Sequence, residues 1–272
     1  MPPPPPPQPD SLKVYFLGAD GELANDMKKV GIDPVRFVAF NLLAIALALG
    51  ANFVGVTSAL MSNTNPELFR SLKVDRLYQV AGYFRHVDDD DGYEFLYPQT
   101  WMADQTVMLA NAKERELPLA LRERQRARLG RVAPNAAYGP MAGDGRDNVS
   151  VIKSSVMDGF TLAGTLGTPK EAAERLLANV IAAPGSGKTA TLIDAYADTR
   201  DGQPAYVFEY TVQRGEQFYQ HSVSVIMSRG NALFTLTAVS PEATWAQQKA
   251  AVKAIAASFS LNKPTTNPLL VF

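Results

Sequence analysis

The sequence predicts an α+β domain, an antiparallel sheet with helices packed on its faces, preceded by a hydrophobic helix. Three observations carry this. Between Thr191 and Ala238, four strand-like segments follow one another, and Asp201-Gly202 and Arg229-Gly230-Asn231 mark tight turns between them. Strands joined in this way pair antiparallel. Helical patterns bracket the strands, one starting at Thr168 and one at Ser240. Finally, no charged residue occurs from Phe37 to Pro66.

The chain has 272 residues, of which 46% are hydrophobic, enough for one well-buried domain and additional segments. Its 26 basic and 27 acidic residues nearly cancel, so no global field favours nucleic acid or an anionic surface. There is no cysteine, which excludes disulfides and thiolate chemistry. With only two histidines, His86 and His221, a histidine-rich metal centre is impossible.

Pro2 to Pro7 form a proline run that reads as polyproline II or a disordered tail, because it lacks amide donors and apolar mass. Leu12 to Ile32 carries no pattern for a stable fold. Phe37 to Met61 is an apolar run of 25 residues, and as one helix it would reach about 37 Å, enough to cross a bilayer. It reads as a membrane anchor. Thr57-x-Ala59 also fits the cleavage site of a targeting peptide, and a buried core helix is a third reading. Lys28, Lys29 and Arg36 before the run balance Arg70, Lys73 and Arg76 after it, so charge bias leaves its orientation open. Pro66 to Gln79 reads as a linker with a helical turn.

Asp88 to Asp91 invites a calcium hypothesis, but no EF-hand spacing follows, and a solvated turn is the better reading. Tyr93 to Tyr97 alternates like a strand, ended by Pro98, with Trp101 in a loop or helix start. Lys113 to Arg131 holds seven basic residues against three glutamates, without the interleaved aromatics that stack on bases. It reads as a solvated face, with a docking surface for an acidic partner as the alternative. Pro134 to Asp147 reads as a mobile loop, and Asn148 to Val156 as a strand.

Thr168-Pro169-Lys170-Glu171 is a capping box with proline in the first turn, and Ala173, Leu176, Leu177, Val180 and Ile181 recur behind it at helical spacing. After the strand Thr191 to Ala197, Tyr206, Phe208, Tyr210 and Val212 share one strand face. Tyr219, His221, Val223, Val225 and Met227 share a face of the next strand. Ala232 to Ala238 is apolar on both faces, as suits a central strand covered on both sides. Ser240-Pro241 caps the last helix, whose inner stripe is Trp245, Val252, Ile255 and Phe259. The expected organisation is therefore a proline-rich segment at 1–34, a hydrophobic helix at 35–62, a linker and domain entry at 63–92, the domain at 93–261 and a tail at 262–272.

Ala182-Ala183-Pro184-Gly185-Ser186-Gly187-Lys188-Thr189 satisfies a relaxed phosphate-loop pattern. A true phosphate loop leaves a strand and opens a helix, so that amides and the helix dipole converge on phosphate. Here a helix enters and a strand leaves, so Gly187-Lys188-Thr189 supports a nucleotide-binding function only as an alternative. A glycine-rich helix stop explains the segment. No nucleophile elbow accompanies either histidine, and Glu209 and Glu242 are single carboxylates without a recognisable partner. The expectation is a protein that is not an enzyme.

The motifs Asp91-Gly92-Tyr93-Glu94-Phe95-Leu96-Tyr97-Pro98 with Trp101, Asn148-Val149-Ser150-Val151, Gly167-Thr168-Pro169-Lys170-Glu171-Ala172-Ala173 and Tyr206-Val207-Phe208-Glu209-Tyr210 follow in order. After them come His221, Leu233-Phe234-Thr235-Leu236, Pro241-Glu242 with Trp245, and Ser258-Phe259. Together they resemble the PsbP family of thylakoid lumen proteins over about the last two-thirds of the chain. The resemblance implies an antiparallel sheet sandwiched by helices and a non-catalytic role at a photosystem. That role is calcium and chloride retention at the oxygen-evolving cluster of photosystem II, or assembly of photosystem I or another thylakoid complex. The hydrophobic segment and the basic insert favour a divergent relative over the authentic subunit. The resemblance also implies weak divalent metal binding, of calcium or manganese, at His221 and Glu242, and an anchor running from stroma to lumen. Its partners would be photosystem subunits in the thylakoid membrane. The N-terminus lacks the serine-rich composition of a transit peptide, which fits an incomplete or atypically processed chain.

Overall fold

The computed structural model describes residues 34–118, 121, 133–216 and 218–262. The proline run, residues 12–32, most of the basic insert and all of the tail beyond Asn262 lie outside the described residues. The chain divides into two compact units, residues 1–68 and 69–272.

The hydrophobic segment is not one helix. It forms α1 (Pro34–Gly50), a 3-10 turn at Phe53–Gly55 and α2 (Val56–Thr64), with the axes bent by 79°. No single described helix is long and apolar enough to cross a membrane; the bent pair meets that test together. The break has a local cause. Asn52 (φ 50°), Val54 (φ 52°) and Gly55 (φ 74°) take left-handed conformations that no helix continues through. Asn52 then bridges the gap: its Nδ2 donates to Ser58 Oγ at 2.8 Å, and its Oδ1 accepts the Ser58 amide at 2.9 Å. The Thr57 hydroxyl donates to the Leu49 carbonyl. Side chains thus meet donors and acceptors that both helix ends leave open.

The second unit begins within the short helix α3 (Pro66–Ser71) and is built on two antiparallel sheets. The small one pairs β1 (Tyr83–Asp88), β2 (Tyr93–Pro98) and β10 (Ser260–Leu261) in the order β1-β2-β10. The large one contains β3 (Trp101–Ala103), β4 (Ala136–Pro140), β5 (Asn148–Ser155), β6 (Thr189–Arg200), β7 (Gln203–Arg214), β8 (Phe218–Arg229) and β9 (Ala232–Pro241). Its order is β3-β4-β5-β9-β8-β7-β6. Helix α4 (Gln105–Arg115) follows β3, α5 (Pro169–Leu176) precedes β6, and α6 (Trp245–Ser258) follows β9. The fold is thus α+β, an antiparallel sheet with helices on both faces.

Strand alternation decides which helix each face receives. Val207, Val223, Val225, Met227, Phe234 and Leu236 face one way and pack with Trp245, Val252, Ile255 and Phe259 from α6, and with Tyr93 and Phe95 of the small sheet. Tyr206, Phe208, Tyr210, Val212 and Ile226 face the other way and pack with Leu162, Ala172, Ala173 and Leu177. Each valine, leucine, isoleucine, methionine or phenylalanine among them that is removed from water contributes about 1.5–3 kcal/mol. β9 lies at the centre of the sheet and feeds both layers, with Phe234, Leu236 and Ala238 in one and Leu233 against the other. Helix α5 carries the full capping box: the Thr168 hydroxyl accepts the Glu171 amide at 3.3 Å, and the Glu171 carboxylate accepts the Thr168 amide at 2.8 Å.

Three segments differ from the sequence expectation. Residues 83–88 form a strand where a linker and domain entry was expected. Arg85 and His86 hide its pattern, and the Arg85 guanidinium is neutralised by buried Asp75, at 2.8 and 3.0 Å, and by Glu94. Trp101 begins a strand, not a loop or helix. Ala136 to Pro140, expected as part of a mobile loop, pairs between β3 and β5. Its small residues give no apolar alternation, but they allow close approach: a Cβ on Gly139 would meet the Asp147 carbonyl at 3.0 Å.

Candidate functional site

His221 sits in the middle of the large sheet on β8, on the face covered by α6, and is 4% exposed. Register places Thr211 opposite it, so Glu209 of β7 lies on the same face as its diagonal neighbour. Its ring Nε2 is 3.0 Å from Glu209 Oε1, and its Nδ1 is 2.8 Å from Glu242 Oε2. Glu242 comes from the 3-10 turn that leads into α6. The next turn of that helix lays Trp245 flat on the imidazole, centroids 3.6 Å apart and planes 8° from parallel. Lys253 of α6 reaches back to the second Glu209 oxygen at 2.9 Å. Burial works against the Glu209 charge, but the Lys253 ammonium and the His221 ring outweigh it and hold this carboxyl below the usual carboxylate range.

The structure therefore brings together the two residues that the family resemblance singled out, His221 and Glu242, stacks Trp245 of the expected inner stripe on the ring, and adds Glu209 and Lys253, which sequence reasoning had not connected to the site. Glu209 could have been found. The strand face opposite Tyr206, Phe208 and Tyr210 carries it, and that face meets the His221 side of the neighbouring strand. Lys253 and the stacking of Trp245 depend on how α6 is rotated onto the sheet, which spacing alone does not give.

This arrangement does not fit a resident metal ion. Calcium takes six to eight oxygen ligands converging at about 2.3–2.6 Å. Here each carboxylate occupies the hydrogen-bonding position of a ring nitrogen directly, on opposite sides of the ring. Among the described residues no group of three His, Asp or Glu side chains converges to hold a metal. Nor does the ring present a free nitrogen to a nucleophile or substrate. The cluster closes on itself as a clamp between β7, β8 and α6.

The other sequence candidates are dispersed. His86 lies in the small sheet, with Nδ1 2.9 Å from the Tyr138 hydroxyl, among the rings of Tyr93, Phe95 and Tyr138. Burial pushes the Tyr138 phenol up to about 12. The aspartate run forms the turn between β1 and β2, but its side chains are less solvated than expected. Asp88 Oδ1 accepts the amides of Asp90 and Asp91, Asp89 pairs with Arg76 at 2.9 Å, and Asp91 pairs with Lys153 at 2.6 Å. Their carboxylates go to separate partners instead of converging. At Lys188 the order is helix, turn, strand, and Gly185 and Gly187 have positive φ. The Ser186 amide donates to the Ala183 carbonyl and the Lys188 amide to the Ser186 hydroxyl. The turn thus consumes amides that a phosphate would need.

A family model for PsbP matches residues 81–261. The PsbP domain-containing protein 7, chloroplastic, of Arabidopsis thaliana is 36% identical over 224 residues, covering 79% of this chain and 78% of that protein. CyanoP of Thermosynechococcus vestitus is 30% identical over 187 residues, covering 66% of this chain and 87% of that protein. The solution structure of CyanoP from Synechocystis sp. PCC 6803 superposes with a TM-score of 0.50 at 26% identity, covering 67% of this chain and 94% of that one. The match takes in both sheets, α5, α6 and the His221 clamp, and the chain belongs to the PsbP family.

Proposed function

We propose that this protein is a non-catalytic module of the photosynthetic membrane that binds a photosystem or assists its assembly and stability. The observation that carries the reading is the family match across 81–261, the whole span from β1 to β10. The similarity to a protein named as chloroplastic supports a plastid setting. The closed His221 clamp supports a structural role for the one buried histidine–carboxylate cluster that sequence analysis had raised as a chemical site. We place the domain at 93–261, extended at its N-terminal side by β1, on the lumenal face of the thylakoid, held there by the segment 35–62. Photosystem II is the first partner to test; photosystem I or another thylakoid complex is the second.

The experiment is affinity capture of the tagged full chain from detergent-solubilised thylakoids, followed by mass spectrometry. Recovery of the subunits of one photosystem, or of its assembly intermediates, supports the reading. Recovery of none, with the protein absent from the thylakoid fraction, overturns it.

A further inference from the structure

The N-terminal unit carries an observation that anchoring alone does not explain: its apolar run is bent nearly to a right angle, and the bend is built from hydrogen bonds. Along α1, Phe40, Leu42, Leu43, Ile45 and Leu47 are all more than half exposed, and they point around the whole helix instead of along one stripe. No charged side chain falls between Phe37 and Pro66. A helix apolar on every side is matched to hydrocarbon. At 17 residues, α1 is about 25 Å long, close to the thickness of a bilayer core of about 30 Å. Helix α2 differs in kind. Its sequence, Val-Thr-Ser-Ala-Leu-Met-Ser-Asn-Thr, is rich in hydroxyl and amide groups and reaches only about 13 Å. Its composition suits the polar edge of a membrane, not the middle.

At the border of the hydrocarbon a backbone group left without water or a partner costs several kcal/mol, so a helix that breaks beside the acyl chains needs other groups to satisfy it. The elbow does this. Asn52 closes on Ser58 through both its amide nitrogen and its oxygen, Thr57 closes on the Leu49 carbonyl, and Ser58 and Thr57 are buried within the bend. Phe53 and Val54, 67% and 84% exposed, form the outer corner.

We propose that Pro34–Thr64 is an elbowed membrane anchor. In it α1 is the leg that enters the bilayer and α2 lies along the lipid–water interface, and the Asn52–Ser58 and Thr57–Leu49 bonds fix the angle. This rests on the anchoring reading above and refines it: the segment meets the membrane as a leg and a foot, not as one straight span. The partner is a lipid bilayer. The foot fixes how far the chain that follows can stand from the membrane surface.

The natural absence of cysteine makes the test direct. Ile45→Cys and Leu60→Cys variants of the full chain, each carrying an environment-sensitive fluorophore, are reconstituted into phosphatidylcholine–phosphatidylglycerol vesicles. These vesicles contain spin-labelled lipids that quench either near the headgroups or near the acyl-chain ends. The label at 45 is expected to be quenched more by the deep lipid than by the shallow one, and the label at 60 in the opposite ratio. Adding Asn52→Leu together with Thr57→Val, which removes the Asn52–Ser58 bonds and the Thr57–Leu49 bond, is expected to move the label at 60 toward the deep ratio; circular dichroism of the sheet confirms that the domain is still folded. If both labels give the deep ratio in the unaltered background, the elbow is overturned while the anchor stands. If neither label is quenched by any lipid, anchor and elbow fall together. A label at 45 shielded from a water-soluble quencher would then point to a protein partner or a second copy.

Discussion

The imidazole of His221 lies 3.6 Å from the indole of Trp245, nearly parallel to it, while Glu209 and Glu242 engage the two edges of the ring. This relationship joins the sheet to the C-terminal helix beside the apolar cluster that packs them together. It makes the clamp a stability element, and its consequences can be measured.

His221→Ala removes the stack and leaves Glu209 and Glu242 without the ring between them. A loss of about 3 kcal/mol is expected, the low end of the range for breaking a buried pair by deleting one partner. The chain has two tryptophans, Trp101 and Trp245, so in a Trp101→Phe background the emission of Trp245 reports the site alone. Urea unfolding followed by that emission should show the loss in His221→Ala, together with an altered native spectrum. An unchanged midpoint and spectrum would mean that the stack does not form.

The Glu209 and Glu94 carboxyls both ionise below the usual range. Burial opposes the charge at each, but Lys253 and His221 at Glu209, and Lys73 and Arg85 at Glu94, more than offset it. A carboxyl depressed in the folded state adds stability that is complete above its unfolded value of about 4.3 and is lost as pH falls through the folded value. Glu209→Gln should therefore be less stable than the natural chain at neutral pH, with the gap narrowing as pH falls below about 4. Denaturation midpoints across a pH series test this, and a gap that does not vary with pH would contradict it.

Strand β6 is an edge of the large sheet, yet part of its outward backbone is already occupied. Arg200 and Gln203 flank the two-residue turn, so the backbone groups of Ala195, Ala197 and Thr199 point away from β7. Asp194 accepts the Ala195 amide at 2.9 Å and Asp198 the Thr199 amide at 2.8 Å. A bulge between Leu192 and Asp194 further spoils the edge for strand addition. Replacing both aspartates by alanine should raise the apparent mass in sedimentation velocity at high protein concentration. No change relative to the natural chain would show that these side chains do not guard the edge.

Thr168→Ala breaks the capping box at its hydroxyl, and a loss of about 1 kcal/mol is expected. Because Ala172 and Ala173 of α5 pack under Tyr206 and Phe208, the loss should also appear as faster hydrogen exchange along α5. Equal exchange in both proteins would argue that the helix is held by packing alone.

Calcium or manganese added to the full chain should give no His221-dependent heat in calorimetry, because both ring nitrogens are engaged by carboxylates. A binding heat that disappears in His221→Ala would instead mean that the clamp opens to admit a cation.

Much of the domain was legible because its strands alternate cleanly and its turns are local. Tyr206 to Val212, the Asp201-Gly202 hairpin, the Thr168 capping box and the inner stripe of α6 all rest on period and turn chemistry. β4 was not legible, since alanine, glycine and proline pair there without an apolar signature. β1 was not legible because Arg85, neutralised across the fold by Asp75, looks like a surface residue in a linear reading. The elbow escaped for a related reason: Asn52 in an apolar run reads as a tolerated polar residue until its bonds to Ser58 are seen. At the clamp, His221 and Glu242 were singled out by family likeness, whereas Glu209 and Lys253 depend on cross-strand register and helix rotation.

We propose that this PsbP-family chain works at a photosystem. The most direct test is native-gel separation of mildly solubilised thylakoids from the organism, with the chain followed by immunodetection in a second dimension. Comigration with a photosystem or one of its assembly intermediates is expected, abolished when that complex is genetically absent. Migration only at the mass of the free protein, unchanged by loss of either photosystem, would contradict it.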